Sequence, residues 1–341
     1  MVGPRVAVVG AGANGASIGA DLHGAGVDVT LVEQWPVHVE TIRSEGLRIL
    51  TPEDELHVRP HIIHLCEVAE LRAGFDVVLL VMKAYDAGWA SRLIAPYLAS
   101  DGVMAAVQNG MTADAVSAAV GVSRAVGAVI ECSATMTDPG VVHRHTPRER
   151  SWFAVGPLPG GAERIEPVAD LLALSGTVAR VDDILSAKWM KLVSNCTLLV
   201  TSAILGLPML DALHQPGFRD VMVAAGNEAL AVGGALGYRT LPIFGLEPGD
   251  LDDPRGVVEV MTDRLFAGFV VPGATTTVLQ DWRKGRHSEV DDLNGEVVRR
   301  GAGLAIPTPV NALITDIAHR IERRELEPAV SHLGMLRAAV S

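Results

Sequence analysis

The chain is poor in aromatic residues, in cysteine and in basic clusters, and each scarcity removes a class of protein. Phe, Trp and Tyr make up 4% of its 341 residues, so the core must be built from Val, Leu, Ile and Ala. The three cysteines, Cys66, Cys132 and Cys196, lie far apart. An odd, scattered set offers neither a disulfide framework nor a metal-binding spacing, and it suits small buried hydrophobes in a reducing compartment. Acidic residues number 40 against 28 basic ones, a formal net charge of -12. Phosphate backbones are bound through Lys and Arg. The only dense basic stretch, residues 283–287 (RKGRH), is short and followed at once by acids. No nucleic-acid partner is expected. No apolar run approaches membrane-spanning length, and the one near the amino terminus breaks into glycines, unlike a signal peptide. A soluble cytoplasmic protein with no membrane and no metal is expected. No G-x-S-x-G elbow occurs, so a serine hydrolase has no support.

What is present is apolar residues, 49% of the chain, in two patterns. The first half alternates short apolar runs with helical stretches. Strands are expected at residues 5–10, 27–32, 75–82, 102–108 and 124–131. Most are apolar on both faces, as strands of a helix-covered parallel sheet must be. The alternation predicts an α/β fold with a doubly wound parallel sheet. Residues 141–145, 151–156 and 177–181 read as further strands, expected to be antiparallel. From about Asp182 helices dominate, at 184–205, 219–237, near 275–300 and at 309–323, with a loop at 241–256. This gives a nucleotide-type domain over 1–181 and an all-helical one over 182–341. The apolar helices of the second part are compatible with a homodimer.

Gly10, Gly12 and Gly15 form a G-x-G-x-x-G motif directly after a strand and at the start of a helix. Glycine there permits a tight turn and close approach of a pyrophosphate, and the helix amino end with Ala13 and Asn14 offers N–H groups to it. Glu33 ends the second strand, where an acid accepts from ribose hydroxyls and repels a 2′-phosphate. NAD(H) is therefore favoured over NADP(H), although Arg43 is near enough to offer a phosphate a partner. Lys83 and Asn109 follow the next two strands, at the carboxyl ends where open sheets bind ligands. A surface lysine and an Asn-Gly turn are the plainer readings.

Lys191 and Asn195 sit four residues apart in an apolar helix, on one face. Burial lowers a lysine's pKa toward working pH, as a general acid needs; snorkelling to solvent is the alternative. A third polar cluster, residues 275–295, contains Thr277 and Glu289, which suit a carboxylate and a substrate hydroxyl, or a solvated helix face.

In order and spacing these pieces resemble the ketopantoate reductase family. The matching residues are Gly10 to Gly15, Lys83, Gln108-Asn109-Gly110, Pro139-Gly140 with His143, and Lys188-Trp189-Met190-Lys191-Leu192 with Asn195. They continue with Leu279-Gln280-Asp281, Ser288-Glu289-Val290-Asp291, Asn294-Gly295 and Pro307-Thr308-Pro309. The resemblance implies a Rossmann domain, a helical domain and an active site in the cleft between them. It implies NAD(P)H-dependent reduction of a 2-keto acid to a D-2-hydroxy acid, a step of pantothenate biosynthesis. Lys191 would be the general acid, Asn109 would meet nicotinamide and substrate, Lys83 would line the cofactor site, and Asn195 and Glu289 would contact the substrate. Two positions depart from the family pattern. Leu199 replaces an asparagine one turn after Asn195, and Thr277 replaces a serine. Losing an amide favours a substrate lacking the hydroxyl it would meet. Residues 33–40 look more like NAD-using D-2-hydroxy acid dehydrogenases of the D-mandelate type. A non-catalytic redox sensor binding NAD(P) is the alternative of another class, and retention of Lys191, Asn195 and Glu289 speaks against it.

Overall fold

Strand and helix alternate through the first half of the chain, as its apolar runs require. The computed structural model describes residues 3–340 other than 162, 244, 269 and 271. Its first elements are β1 (Arg5–Val9), α1 (Ala13–Gly24), β2 (Asp28–Glu33), α2 (Pro36–Glu45), β3 (Leu47–Leu50), β4 (Glu55–Val58) and β5 (His61–His64). Then come β6 (Phe75–Leu80), α3 (Ala87–Ile94), β7 (Leu98–Val107), α4 (Ala113–Val120) and β8 (Ala125–Glu131). They are followed by β9 (Ala134–Asp138), β10 (Val141–Arg144), β11 (Trp152–Pro157), α5 (Glu166–Ala173) and β12 (Thr177–Arg180). The chain divides into two units, Met1–Leu185 and Ser186–Ser341.

Eight strands of the first unit form one sheet in the order β12-β11-β8-β7-β6-β1-β2-β5. From β5 to β8 all neighbours are parallel. The winding reverses beside β1: β2 and β5 build outward on one side, and β6 returns to the other. That reversal opens a crevice at the carboxyl ends of β1 and β6, where doubly wound sheets bind ligands. Val6, Ala7 and Val8 are wholly buried, because helices cover both faces of a parallel sheet.

The later strands correct the antiparallel expectation. β11 does run antiparallel to β8, but β12 pairs parallel with β11. β10 leaves the large sheet and joins a second one, ordered β4-β3-β10-β9, parallel to β3 and antiparallel to β9. Apolar periodicity marks a strand and says nothing of its partner.

The rest of the chain is helical: α6 (Ile184–Leu205), α7 (Met209–Leu213), α8 (Phe218–Ala235), α9 (Val257–Gly268), α10 (Thr277–Arg283), α11 (Asn294–Gly303), α12 (Pro309–Glu322) and α13 (Leu333–Ala338). The single helical region expected near 275–300 is in fact α10 and α11, separated by a linker with a 3-10 turn at Val290–Asp292. Gly285, at φ +64°, ends α10 in the left-handed region that glycine tolerates. The loop at 241–256 carries a 3-10 turn at Pro248–Asp252.

α6 is buried almost throughout, yet it contains many hydroxyls. Thr197, Thr201 and Ser202 donate theirs to carbonyls within the helix. Thr197 Oγ1 donates to the Ser194 carbonyl at 2.6 Å, and Ser202 Oγ to that of Leu198 at 2.6 Å. Trp189 of α6 is 1% exposed and donates its indole N–H to the Ala229 carbonyl of α8 at 2.9 Å. The indole fits because Gly233 lacks a Cβ, which would lie 2.0 Å from Trp189 Nε1. Among the described residues no helix is long and apolar enough to cross a membrane.

Candidate active site

β1 ends at Val9 and the chain turns through Gly10, at φ +92°, into α1. The Gly10 carbonyl oxygen lies 1.8 Å from where a Cβ on Gly15 would stand. A Cβ on Gly12, by contrast, would meet nothing within 4 Å. Gly12 thus borders open space at the amino end of α1, where unpaired N–H groups and the helix dipole favour an anion. Gly15→Ala is expected to displace the Gly10 carbonyl and weaken nucleotide binding by about tenfold or more, since overpacking costs about 1–3 kcal/mol. Titration of NADH fluorescence measures this, and an unchanged dissociation constant would refute it.

Glu33, at the end of β2, is buried and tied to this loop. Its Oε2 accepts the Ala11 N–H at 2.7 Å, and its Oε1 accepts those of Gln34 and Trp35 at 2.9 Å each. Of the roughly four acceptor positions of a carboxylate, backbone takes three, leaving one on Oε2. Arg43 faces elsewhere. Its guanidinium donates to the Ile62 carbonyl at 3.2 and 3.1 Å and pairs with Glu40 and Glu67.

Lys83 is half-buried just beyond β6. The backbone there is held by Gln108, whose Nε2 donates to the Met82 carbonyl at 2.8 Å. Asn109 follows β7, and its Oδ1 is buried without a hydrogen-bond partner among the described residues, as are Asn14 Oδ1 and Thr112 Oγ1. An unpaired buried polar atom costs about 1–3 kcal/mol, so such atoms call for a ligand or another explanation. β7, β6 and β1 are neighbours in the sheet. Their carboxyl ends therefore bring Asn109, Lys83 and the glycine loop to one edge. The open cradle at Gly12, the helix amino end and the orphaned Asn14 and Asn109 oxygens fit a dinucleotide.

In the second unit, Lys188, Lys191 and Asn195 stack along one face of α6, all buried. Asn195 Nδ2 is buried without a partner among the described residues. Leu199, one turn further, is half-buried. Burial pushes the Lys188 ammonium down to about 7. In the sequence Lys188 stands out only within the match over residues 188–192; the signal that marks it is its place seven residues before Asn195, two turns along the same face. The chain contains only four lysines, and two of them lie within one turn of this helix.

Thr277 opens α10 and is exposed. The buried hydroxyl beside it belongs to Thr276, which caps the helix by accepting the Leu279 N–H at 3.3 Å. Glu289 is buried at the start of the 3-10 turn. The segment before it is anchored on Glu322 at the end of α12. Glu322 Oε1 accepts the Ser288 N–H at 2.9 Å, the Ser288 hydroxyl at 2.6 Å and the Trp282 indole at 3.2 Å, while Oε2 pairs with His287 at 3.0 Å. Nothing in the sequence pattern marks Glu322. Asn294, which the sequence marks only within the Asn294-Gly295 match, donates to Asn311 Oδ1 at 2.8 Å and to the Cys196 carbonyl at 3.3 Å, while its Oδ1 is buried without a partner among the described residues. It thereby ties the start of α11 to the turn of α6 that carries Asn195.

Burial, then repulsion from Glu289, Asp291 and Glu296, pushes the Asp292 carboxyl up to about 6. A raised acid pKa stabilises the fold below the unfolded value near 3.8 and loses that contribution as pH rises through about 6. Asp292→Asn is therefore expected to be more stable than the parent at pH 7.5 and to lose the advantage by pH 4. Urea midpoints at the two pH values read this directly. Among the described residues no three His, Cys, Asp or Glu side chains converge as metal ligands.

Comparison with known proteins agrees with this geometry. The family model described as Ketopantoate reductase PanE/ApbA matches residues 6–159, and its C-terminal counterpart matches residues 183–322. A 2-dehydropantoate 2-reductase of Caulobacter vibrioides is 30% identical over 323 residues, covering 91% of this chain and 96% of the relative. The crystal structure of a PanE/ApbA family ketopantoate reductase from Ralstonia eutropha JMP134 is 29% identical with a TM-score of 0.79, covering 94% and 99% of the two chains. D-mandelate dehydrogenase with NADH and anilino(oxo)acetate shares the fold, at 22% identity and a TM-score of 0.83, covering 94% and 99%. The chain belongs to the ketopantoate reductase family along both of its units.

Proposed function

We propose that the chain reduces a 2-keto acid to a D-2-hydroxy acid with a nicotinamide dinucleotide, 2-dehydropantoate being the first candidate substrate. The observation that carries this is the buried face of α6, where Lys191 lies one turn from Asn195, whose Nδ2 has no hydrogen-bond partner among the described residues. The glycine loop, Asn14, Lys83 and Asn109 hold the nucleotide. The reduced nicotinamide, when bound, supplies the hydride. Lys191 gives its proton to the carbonyl oxygen as that oxygen gains charge. The Asn195 amide donates to the substrate, Glu289 accepts from a substrate hydroxyl, and Thr277 meets the carboxylate.

The cofactor is NAD(H) in preference to NADP(H). Glu33 holds a negative charge beside the glycine loop, and a 2′-phosphate there would meet like charge. Arg43, the basic residue on α2, is engaged with Ile62, Glu40 and Glu67. A second reading, a D-2-hydroxy acid dehydrogenase of the D-mandelate type, is favoured by Leu199, which puts an apolar surface where the family carries an amide.

Oxidation of reduced nucleotide at 340 nm (the nicotinamide absorption) tests both readings. Efficient turnover of ketopantoate supports the first, with NADH preferred over NADPH. Turnover of phenylglyoxylate or a branched 2-keto acid in its place supports the second. Nucleotide binding without turnover across such a panel would overturn both.

A further inference from the structure

We propose that His38, on α2, is a positioning residue for the nucleotide's pyrophosphate, acting through the peptide that joins Ala11 to Gly12. His38 is wholly buried. Its Nδ1 accepts the N–H of Gly140 at 2.9 Å, and its Nε2 lies 3.0 Å from the carbonyl oxygen of Ala11. A ring nitrogen that accepts carries no proton. The neutral ring therefore has its proton on Nε2 and donates it to Ala11. Burial holds the ring's pKa below its ordinary value against the pull of Glu33, which keeps it in that form. The ring is braced by Trp35, stacked at 5.7 Å with planes 18° apart.

The consequence follows from peptide geometry. In a trans peptide the C=O and the N–H of the next residue point in opposite directions. Holding the Ala11 carbonyl therefore fixes the direction of the Gly12 N–H, away from His38. Gly12 is the N-cap of α1, so this N–H stands with the donors that have no intrahelical acceptor. The preceding peptide is held independently, because the Ala11 N–H donates to Glu33 at 2.7 Å. Its carbonyl, on Gly10, is then packed against Gly15. Both peptides flanking Ala11 are thus fixed by different side chains before any ligand arrives. Donors fixed beforehand bind more tightly, because the ordering cost is already met.

The two bonds of His38 can be separated. Asparagine places an acceptor near the Nδ1 position, keeping Gly140 and losing Ala11. Glutamine reaches with an amide N–H toward the Nε2 position, keeping Ala11. The experiment uses the full chain with His38→Asn and His38→Gln. Dissociation constants for NADH and NADPH are measured without substrate, with melting temperatures and kcat at saturating nucleotide in parallel. The expected result is about a tenfold weaker nucleotide complex for His38→Asn and a loss of no more than about threefold for His38→Gln. In both variants kcat at saturation stays within about twofold of the parent. If His38→Asn does not fold, His38→Phe, which keeps a ring and removes both bonds, takes its place with the same threshold. Equal losses in the two variants, or no loss in either, overturn the assignment. So does a loss in affinity that follows the melting temperature alone. The inference rests on nucleotide binding and not on which acid is reduced. A parent protein that binds nucleotide without turnover overturns only the reductase reading, whereas one that binds neither nucleotide overturns both.

Discussion

Replacing Lys191 with alanine is expected to lower kcat by about 10²–10⁴-fold and to leave the nucleotide dissociation constant within about twofold. The range is what a positioned general acid ordinarily contributes. The loss belongs in kcat because the proton is transferred only as the carbonyl oxygen gains charge, and ground-state binding has little stake in it. Lys191 is 8% exposed, so water does not readily take over as donor. Lys191→Arg is expected to restore little. A guanidinium keeps the charge but holds its proton too tightly to give it up. The informative control is Lys188→Met. Lys188 is the more deeply buried lysine, pushed down to about 7, and it lies on the same face of the helix. Should Lys191→Ala keep kcat within tenfold of the parent while Lys188→Met loses more than a hundredfold, the proton donor has been assigned to the wrong lysine. Pre-steady-state mixing with saturating nucleotide makes the reading clean, since it separates the chemical step from product release.

What could be read in the chain beforehand follows from range. α6 is a continuous apolar helix of 22 residues, and both of its ends were legible at 184 and 205. β1, β2, β6, β8 and the second half of β7 are short, largely buried runs, as strands of a covered parallel sheet must be. Of the second sheet only β10 was legible, at 141–145, and its other strands were hidden for the opposite reason. β3 and β4 are four residues each, half-exposed and mixed with charge. Their assembly with β9 and β10 joins segments far apart in the chain. The candidate site divides in the same way. The glycine loop, Glu33, Lys83 and Asn109 were readable because strand ends and helix starts announce them. His38 was not, because its partners are a backbone carbonyl and a backbone N–H 102 residues away. Glu322 was missed on the same ground, being 34 residues from the Ser288 it holds. Thr277 and Thr276 show a finer limit. Both carry hydroxyls at the start of α10, and only the structure shows that the buried one caps the helix.

Arg144→Met is expected to destabilise the first unit by about 3–5 kcal/mol, because it leaves half of a buried ion pair behind. Asp21 of α1 and Arg144 of β10 are 3% and 2% exposed, with Nη1 and Oδ2 2.6 Å apart. Every group around them is used. Ser175 donates its hydroxyl to Asp21 Oδ2 at 2.6 Å, and Arg148 Nε donates to Oδ1 at 2.8 Å. Arg144 also donates to the Ser151 hydroxyl at 2.9 Å and to the carbonyls of Thr146 at 2.9 Å and Ser175 at 2.6 Å. These bonds fasten the last turn of α1 to the small sheet and to the turn before β12. Arg148 is half-exposed and partly neutralises Asp21 in Arg144→Met, which places that variant at the lower end of the range. Asp21→Leu should fall at the upper end, since it strands a guanidinium that cannot lose its charge. Combining Asp21→Leu with Arg144→Met should recover stability relative to the sum of the single changes, because no buried charge is then left without its opposite. Urea unfolding followed by circular dichroism measures all three. Single variants within 1 kcal/mol of the parent, or a double variant whose loss is the plain sum, would show that water reaches the pair and that the clamp is not what holds α1. The nucleotide dissociation constant of the folded variants should stay near the parent's, since the bonds that orient the glycine loop come from Glu33 and His38 and not from this end of the helix.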